Sequence, residues 1–173
     1  EIMPSLVGSE MCIRDRLLNH EENMIDIEDG FKYRCYLSKL SQPVDEYWQG
    51  WYRVTIPLSV IQEGSRRQLL LSKVDNHIVV AGNWQTECVY EITPMAAMDS
   101  FTIDGHTIRK LYANRTVYFD GELKKVYTDT EPNKYPDCTL KQNSFPTLEP
   151  GSQKISMSST SVKVVLKYTP IFV

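Results

Sequence analysis

Short runs of alternating apolar and polar residues are the feature that most restricts how this 173-residue chain can fold. The stretches 30–40, 50–60 and 162–168 place apolar side chains at every second position, which is the period of a half-buried strand. No stretch sustains the spacing of an amphipathic helix, although 46–51 and 93–99 weakly resemble it. Because many short strands separated by turns are typical of a sandwich or a barrel, the sequence predicts an all-β fold.

Two Asp-Gly dipeptides mark the tightest predicted turns. Asp104-Gly105 and Asp120-Gly121 each lie between two alternating runs. Glycine adopts a positive φ at low steric cost, and Asp-Gly is a frequent pair in two-residue hairpin loops. We therefore predict a hairpin at each dipeptide. His106 follows the first of them and is expected to be an exposed turn residue, not a catalytic base.

The stretch NSFPTLEPG combines large apolar residues with two prolines and a turn. Pro150-Gly151 fits the two central positions of a type II turn, in which glycine takes the positive φ. Phe145 and Leu148, held by Pro146, are predicted to close the open end of a sandwich core. Full burial of one such side chain contributes about 1.5–3 kcal/mol. We expect a structural anchor here and not a ligand contact.

Charge and hydropathy argue against two classes of partner. The net charge of −3 and the pI of about 5.6 do not suit a nucleic-acid surface, which needs clustered positive charge. No apolar run approaches the roughly 20 residues of a membrane-spanning helix. We therefore predict neither a nucleic-acid partner nor a membrane span.

Residues able to carry out catalysis or hold a metal are few and scattered. The cysteines form no C-x-x-C pair, which argues against a zinc site or a redox motif: Cys12, Cys35, Cys88 and Cys138. The histidines lack partners at ligand spacing: His20, His77 and His106. One acidic group has too few oxygen ligands for a calcium loop: Asp26, Glu28 and Asp29. We predict no catalytic, cofactor-binding or metal-binding residue, and no cofactor.

The first residues do not read like the rest. The eleven residues from Leu6 to Arg16 resemble the in-frame translation of a transposon adaptor used to prepare sequencing libraries. We expect residues 1–16 to be an artefact of that origin. We also expect the natural protein to begin further upstream, with its true N-terminus absent from this sequence.

Aromatic residues permit two interpretations. Tyr47, Trp48, Trp51 and Tyr52 are concentrated in one short stretch, and Trp84 stands alone after Gly82-Asn83. Exposed aromatic faces can stack on sugar rings, which favours a carbohydrate-binding module. Aromatic residues are also enriched at subunit interfaces. We expect the cluster of four to be an interface, and we retain Trp84 as a candidate sugar contact.

Three stretches resemble, in this order, the C-terminal domain of the distal tail protein of long-tailed phages, the siphovirus tail component. They are AGNWQTECVYEITP, TVYFDGELKKVY and NSFPTLEPGSQKISMSSTSVKVVLKYTPIFV, and the resemblance covers roughly residues 77–173. The positions that match the family pattern are Gly82-Asn83, Glu91 to Pro94, Asp120-Gly121, Val126-Tyr127 and Phe145 through Gly151. The earlier strands resemble the end of the family's N-terminal domain.

The resemblance implies a virion structural protein and no enzyme. It implies a galectin-like or carbohydrate-module-like antiparallel β-sandwich at 73–173, and a remnant of the β-rich N-terminal tail-ring domain at 17–72. Family members form homo-hexameric rings that link the tail tube to the tail-associated hub or endopeptidase and to receptor-binding proteins. The expected location is the virion tail tip (baseplate), after assembly in the cytoplasm of the bacterial host. The alternative is a carbohydrate-binding β-sandwich module that aids adhesion to the host surface.

Overall fold

Antiparallel strands dominate the structure, a computed structural model that describes residues 23–26, 30–37, 44–45, 52–53 and 57–173. The predicted all-β fold is confirmed. The chain divides into two compact units, one that extends to Glu63 and also includes Val173, and one formed by Gly64–Phe172. The predicted domain limits at residues 17, 72 and 73 stay predictions, and residues 1–16 lie outside the described residues.

The described part of the first unit contains five short strands. They are β1 (Asn23–Asp26), β2 (Lys32–Leu37), β3 (Val44–Asp45), β4 (Tyr52–Arg53) and β5 (Leu58–Glu63). Strand β2 pairs antiparallel with β1 on one side and with β5 on the other, and β3 pairs with β4. Pro57, which has no amide hydrogen to donate to a sheet, lies directly before β5. The Arg34 guanidinium and the Glu63 carboxylate, 2.5 Å apart, link β2 to β5.

The second unit contains strands β6 to β17. They are β6 (Arg67–Leu71), β7 (Asp75–Val80), β8 (Thr86–Pro94), β9 (Met98–Ile103), β10 (His106–Leu111), β11 (Val117–Asp120), β12 (Lys125–Thr128), β13 (Cys138–Thr139), β14 (Thr147–Leu148), β15 (Gly151–Ser156), β16 (Val162–Tyr168) and β17 (Ile171–Phe172). Two short 3-10 helices, Tyr135–Asp137 and Lys141–Asn143, flank β13.

Two layers of antiparallel strands form this unit. The first layer has the order β12-β11-β8-β16-β6, with β14 also paired to β8. In the second layer β10 lies between β13 and β9, and β15 pairs with β7. A bridge between Ile103 and Met157, together with a 2.8 Å hydrogen bond from Asp104 N to Ser156 O, joins β9 to the end of β15. The second layer therefore runs β13-β10-β9-β15-β7.

The core lies between the two layers because alternate residues of each strand point inward. Buried and more exposed residues alternate along β7 and β16, as expected for strands with one buried face. The largest fully buried side chains come from both layers: Tyr90, Ile92, Phe119, Leu148, Leu166 and Tyr168 from the first, and Phe101, Ile103, Ile108, Leu111 and Ile155 from the second. The predicted antiparallel β-sandwich is confirmed.

The hairpin at Asp104-Gly105 has the predicted geometry. Ile103 pairs with His106, so the loop consists of the two residues Asp104 and Gly105. Their φ angles are 46° and 84°, as a type I′ turn requires at both central positions. The twist of this turn matches that of the two strands, so β9 and β10 continue directly from it.

The hairpin at Asp120-Gly121 is present, but its turn differs from the prediction. Asp120 pairs with Lys125, which leaves the four residues Gly121–Lys124 in the loop. The Asp120 carboxylate closes this longer loop by accepting a 2.8 Å hydrogen bond from Leu123 N. Lys124, not the glycine, supplies the residue with positive φ, at 54°. The hairpin itself is where it was predicted, but the glycine does not supply the positive φ that was expected of it.

His106 was predicted to be exposed and is buried, with 3% of its surface accessible. The two-residue turn ends at Gly105, so His106 is already the first residue of β10 and its side chain faces inward. Its Nδ1 accepts a 3.2 Å hydrogen bond from Lys141 N, and its ring meets the Phe119 ring edge-on at 4.9 Å. Burial lowers the pKa of the imidazole, which stabilises the neutral ring that this hydrogen bond needs.

Candidate functional site

The aromatic cluster predicted to be an interface falls mainly outside the described residues. Tyr47, Trp48 and Trp51 lie there, and Tyr52 is the first residue of β4. Their assignment to an interface stays a prediction.

Trp84, the candidate sugar contact, lies on the surface of the second unit. Its side chain is 59% exposed, and its backbone forms a bridge to Ile171. Trp84 N donates a 3.4 Å hydrogen bond to Ile171 O. It lines neither of the two clefts described below.

The predicted anchor segment packs along β8. Leu148 is fully buried and pairs with Thr86, and Pro146 is buried as well. Pro146 O accepts a 3.3 Å hydrogen bond from Cys88 N. Phe145 is half-buried and packs against the core.

The predicted Pro-Gly turn follows directly. Gly151 has a φ of 95° and begins β15, while Pro150 is half-buried. The side-chain amide of Gln153 donates a 2.6 Å hydrogen bond to Glu149 O. These contacts lead the chain from the first layer into the second.

The loop 129–137 covers the outer edge of β12. Thr128 N donates a 2.8 Å hydrogen bond to Glu131 O, and Lys134 N donates a 2.7 Å hydrogen bond to Val126 O. An uncovered strand edge is a template for pairing with another chain. The loop forms hydrogen bonds with part of this edge and at the same time forms a wall beside it.

The buried side chain of Lys134 holds this loop in place. It is only 3% exposed, and its ammonium lies 3.3 Å from both the Glu131 and the Asp137 carboxylates. Lys110 also approaches Asp137, at 2.8 Å, and this hydrogen bond is the largest cause of the lowered pKa of the Asp137 carboxyl. A buried ammonium is tolerated only with such partners, so Lys134 holds both sides of the loop together.

Two clefts are lined by residues of this loop and of β12. The larger, which we call the Tyr135 cleft, has a volume of about 520 Å³ and is lined by Lys124, Lys125, Val126, Pro132, Asn133, Tyr135 and Phe145. The smaller, the Tyr127 cleft, has a volume of about 330 Å³ and is lined by Leu123, Lys125, Tyr127, Thr128, Asp129, Thr130 and Pro132. Lys125 and Pro132 belong to both.

Aromatic contacts connect the core to the Tyr135 cleft. The Phe119 ring lies 6.1 Å from the Phe145 ring, and Phe145 stacks on Tyr135 at 6.1 Å with 26° between the planes. In the Tyr127 cleft, the Tyr127 ring stacks on Tyr118 at 5.0 Å. Each cleft therefore has one wall formed by a tyrosine whose ring is supported by a second ring.

The sequence did not predict either cleft. Both depend on the path of the loop 129–137, which is set by contacts of Lys134 with residues on its own loop and on β12. The pair Lys124-Lys125 and the proline-rich stretch around Tyr135 were the available signals, but neither shows which side chains meet.

Reactive groups are not brought together in the part of the chain that the structure describes. Its three cysteines, Cys35, Cys88 and Cys138, form no disulfide. Burial raises the pKa of the Cys138 thiol to about 11 and also raises that of Cys88, so both thiols stay protonated and weakly nucleophilic at neutral pH. Among the described residues, no group of His, Cys, Asp and Glu could hold a metal ion, and no helix could span a membrane.

Comparison with known proteins gives one family and one fold. Residues 81–172 match the siphovirus-type tail component, C-terminal domain. No curated protein matches the chain. The structure is similar to the crystal structure of SPP1 Dit (gp 19.1), described as a paradigm of the hub adsorption apparatus in phages that infect Gram-positive bacteria. The TM-score is 0.74 at 12% identity, over 100% of this chain and 74% of the other.

The family match extends from the residue before Gly82-Asn83 through β17 and so includes the stretches on which the sequence resemblance rests, except for the final Val173. The match covers more than half of the chain, and the similarity to SPP1 Dit shows that the two proteins share a fold. The resemblance noted from the sequence is confirmed. The chain therefore belongs to the siphovirus-type tail component family.

Proposed function

We propose that this protein is a hub component of the distal tail, joining the tail tube to the tail-tip proteins that reach the host. The single observation that carries this proposal is the family match over residues 81–172. In the intact protein, six copies form a ring. The tail tube protein lies on one side of the ring, and the tail-associated hub or endopeptidase and the receptor-binding proteins lie on the other.

The similarity to SPP1 Dit supports this assignment. It spans the whole of this chain, so it includes the residues before Gly64 as well as the sandwich. The described part of those residues is built from strands too, as expected for the remnant of a ring domain. Assembly would take place in the cytoplasm of the bacterial host, and the tail tip of the virion would be the final location.

A structural role, and not catalysis, also fits the described side chains. The imidazole that would be the first candidate for a base, His106, is buried and already bonded through Nδ1 to a backbone amide. General base catalysis needs a base within reach of a substrate proton. We therefore propose a building block of the virion that has no enzymatic activity.

The experiment that tests the proposal is co-expression of the intact protein with the proteins encoded by the flanking genes. We expect the tail tube and tail-tip proteins to co-purify with it, and light scattering to give the mass of a complex with six copies of the intact protein. The aromatic cluster provides a sharper test, because aromatic residues at an interface centre often carry much of the binding energy. The double variant Trp48→Ala, Trp51→Ala should therefore lower the oligomer mass.

The control is Trp84→Ala, which removes an exposed tryptophan from the sandwich and should leave the oligomer unchanged. An intact protein that stays monomeric and binds none of the proteins encoded by the flanking genes would contradict the hub assignment. If Trp84→Ala reduces the oligomer as strongly as the double variant does, the interface lies on the sandwich.

A further inference from the structure

We propose that the Tyr135 cleft binds a saccharide that carries an anionic group, either a phosphate or a carboxylate. This inference does not depend on the hub assignment, since it rests on the side chains around the cleft. Its volume of about 520 Å³ lies within the range of small-molecule sites.

The charge of the lining selects an anion. Two lysines line the cleft, Lys124 and Lys125, and no carboxylate does, although the whole chain has a net charge of −3. Lys124 is engaged at 2.6 Å by Glu87. In the part of the chain that the structure describes, Lys125 has no carboxylate within ion-pair distance. Its ammonium is therefore available for an anionic ligand, and hydrogen bonds between charged partners are stronger than neutral ones.

The remaining polar groups donate hydrogen bonds. Asn133 Oδ1 accepts a 3.1 Å hydrogen bond from Tyr135 N, which leaves the amide NH₂ of Asn133 as the group available to a ligand. The Tyr135 hydroxyl can also donate. A lining rich in donors requires a ligand rich in acceptor oxygens, and a sugar with an acidic group meets that requirement.

The aromatic wall favours a sugar over a flat aromatic ligand. Tyr135 is 50% exposed, and one face of its ring is occupied by the stacked Phe145. It therefore offers a single free face. A pyranose has an apolar patch of C–H groups that can cover this face, while its hydroxyl groups stay hydrated on the other side. A nucleobase, with two apolar faces, would leave one of them in water.

The walls of the cleft are fixed before any ligand arrives. Tyr135 follows the buried Lys134, whose ammonium is held by Glu131 and Asp137 and whose backbone is bonded to Val126. A ligand therefore does not have to order the loop, and pre-organisation of this kind increases affinity.

The neighbouring Tyr127 cleft extends the site. It shares Lys125 and Pro132 with the Tyr135 cleft and has its own tyrosine wall. Two tyrosine walls with one ammonium between them suit two successive sugar rings. Because Asp129 lines the Tyr127 cleft and would repel a second anion, the anionic group belongs to the ring in the Tyr135 cleft. We therefore expect an anionic disaccharide to bind more tightly than a monosaccharide of the same charge.

The test is a titration of the ¹⁵N-labelled chain with glucose 1-phosphate, galacturonic acid, glucose, inorganic phosphate and AMP, followed by NMR. We expect glucose 1-phosphate or galacturonic acid to shift the amides of Lys125, Asn133 and Tyr135, and glucose to bind about tenfold more weakly than the better acid. Comparison of the two acids shows whether phosphate or carboxylate is preferred. Trehalose 6-phosphate, whose second ring is neutral, then tests the extension into the Tyr127 cleft by comparison with glucose 6-phosphate.

Variants locate the site. Lys125→Ala should weaken binding of the preferred acid about tenfold through loss of a charge-assisted hydrogen bond, and Tyr135→Ala about fivefold through loss of the stacking surface. The matched controls are Lys163→Ala and Tyr36→Ala, an exposed lysine and an exposed tyrosine that line neither cleft. Both controls should bind like the unaltered chain, and thermal unfolding confirms that each variant is folded.

Four results would overturn the proposal. If glucose binds as tightly as the better acid, the ligand does not need an anionic group. If inorganic phosphate binds as tightly as glucose 1-phosphate, the ligand does not need a saccharide. Tighter binding of AMP would show that the tyrosine wall selects a nucleobase. Absence of any shift around Lys125 and Tyr135 with every probe would show that the cleft takes none of these ligands.

Discussion

The two Asp-Gly hairpins of the sandwich look alike in the sequence and differ in the structure. At Asp104-Gly105 both residues form the turn, and a Cβ added to Gly105 would meet only the Lys141 side chain, at 3.1 Å from Cδ. At Asp120-Gly121 the loop is longer, and the glycine is pressed against the backbone of its neighbours. A Cβ on Gly121 would lie 2.6 Å from Cys88 O and closer still to Pro146 O.

The difference shows that one dipeptide can be required for two physical reasons. In the first hairpin glycine supplies a positive φ, which Asn also tolerates. In the second hairpin glycine is required because three segments meet there and leave no room for a side chain. Gly121 N donates a 2.9 Å hydrogen bond to Cys88 O, and Cys88 N donates one to Pro146 O. The second hairpin is thus tied to the anchor segment, and the first is not.

The substitution Gly121→Ala should have the largest effect on stability. Its Cβ would overlap two carbonyl oxygens that belong to paired segments, so we expect a loss of more than about 3 kcal/mol in the free energy of unfolding. Gly105→Ala should cost only about 1–2 kcal/mol, because a flexible lysine can move and the strain is limited to φ. Denaturant unfolding measures both.

Asparagine separates the two causes. Gly105→Asn should be milder than Gly105→Ala, since Asn adopts a positive φ more readily. Gly121→Asn should be at least as damaging as Gly121→Ala. Equal responses at the two glycines would show that the hairpins are equivalent after all.

Leu148→Ala tests whether the anchor segment stabilises the fold. Leu148 is fully buried beside β8, so we expect a loss of about 3 kcal/mol from the missing contacts and the cavity. Leu70→Ala, at a leucine that is 62% exposed on β6, is the matched control and should change stability by no more than about 0.5 kcal/mol. Chemical unfolding of both variants decides the point, and similar small losses would argue against an anchor role.

Asp120→Ala should have a smaller effect, of about 2 kcal/mol. The buried carboxylate accepts a hydrogen bond from Leu123 N and closes the four-residue loop, and its removal leaves that amide without this partner. Asp104→Asn removes the charge that contacts Lys141 at 3.2 Å near the surface but keeps a residue that tolerates the φ of 46°, so it should cost less than about 1 kcal/mol. A greater loss at Asp104 than at Asp120, measured by thermal unfolding, would reverse the comparison.

The pH dependence of stability should be the smallest effect. The pKa of His106 is lowered in the folded state by burial, so below the ordinary value of 6.5 the unfolded chain binds more protons than the folded one. Stability should therefore fall as the pH drops below about 6.5 and flatten below the folded-state pKa. His106→Asn, which keeps an acceptor for Lys141 N, should reduce this slope, whereas the exposed His77→Gln should not. Unfolding curves between pH 7.5 and 5 test this, and an unchanged slope in His106→Asn would contradict it.

Local patterning was sufficient to predict the all-β fold and the turn at Asp104-Gly105. In both cases the information lies within a few residues: alternation along a strand, and a dipeptide that tolerates positive φ. The family resemblance added the sandwich and the tail-component family. Alternation also predicted β2, whereas only Leu58–Val60 of β5 lies within the predicted run 50–60.

Contacts between distant residues could not be predicted in the same way. The buried ring of His106 accepts its hydrogen bond from Lys141 N, 35 residues further along the chain. Lys134 looks like a surface residue in the sequence, and only the positions of Glu131, Asp137 and Val126 make its burial possible. The two clefts depend on these contacts, so no local pattern could indicate them.

A cryo-electron microscopy map of the virion tail tests the central claim most directly. The hub assignment predicts density at the distal end of the tail tube into which the sandwich Gly64–Phe172 fits, repeated six times around the tail axis. Density for this sandwich only on the capsid or along the shaft of the tube, or its absence from the mature particle, would contradict the claim.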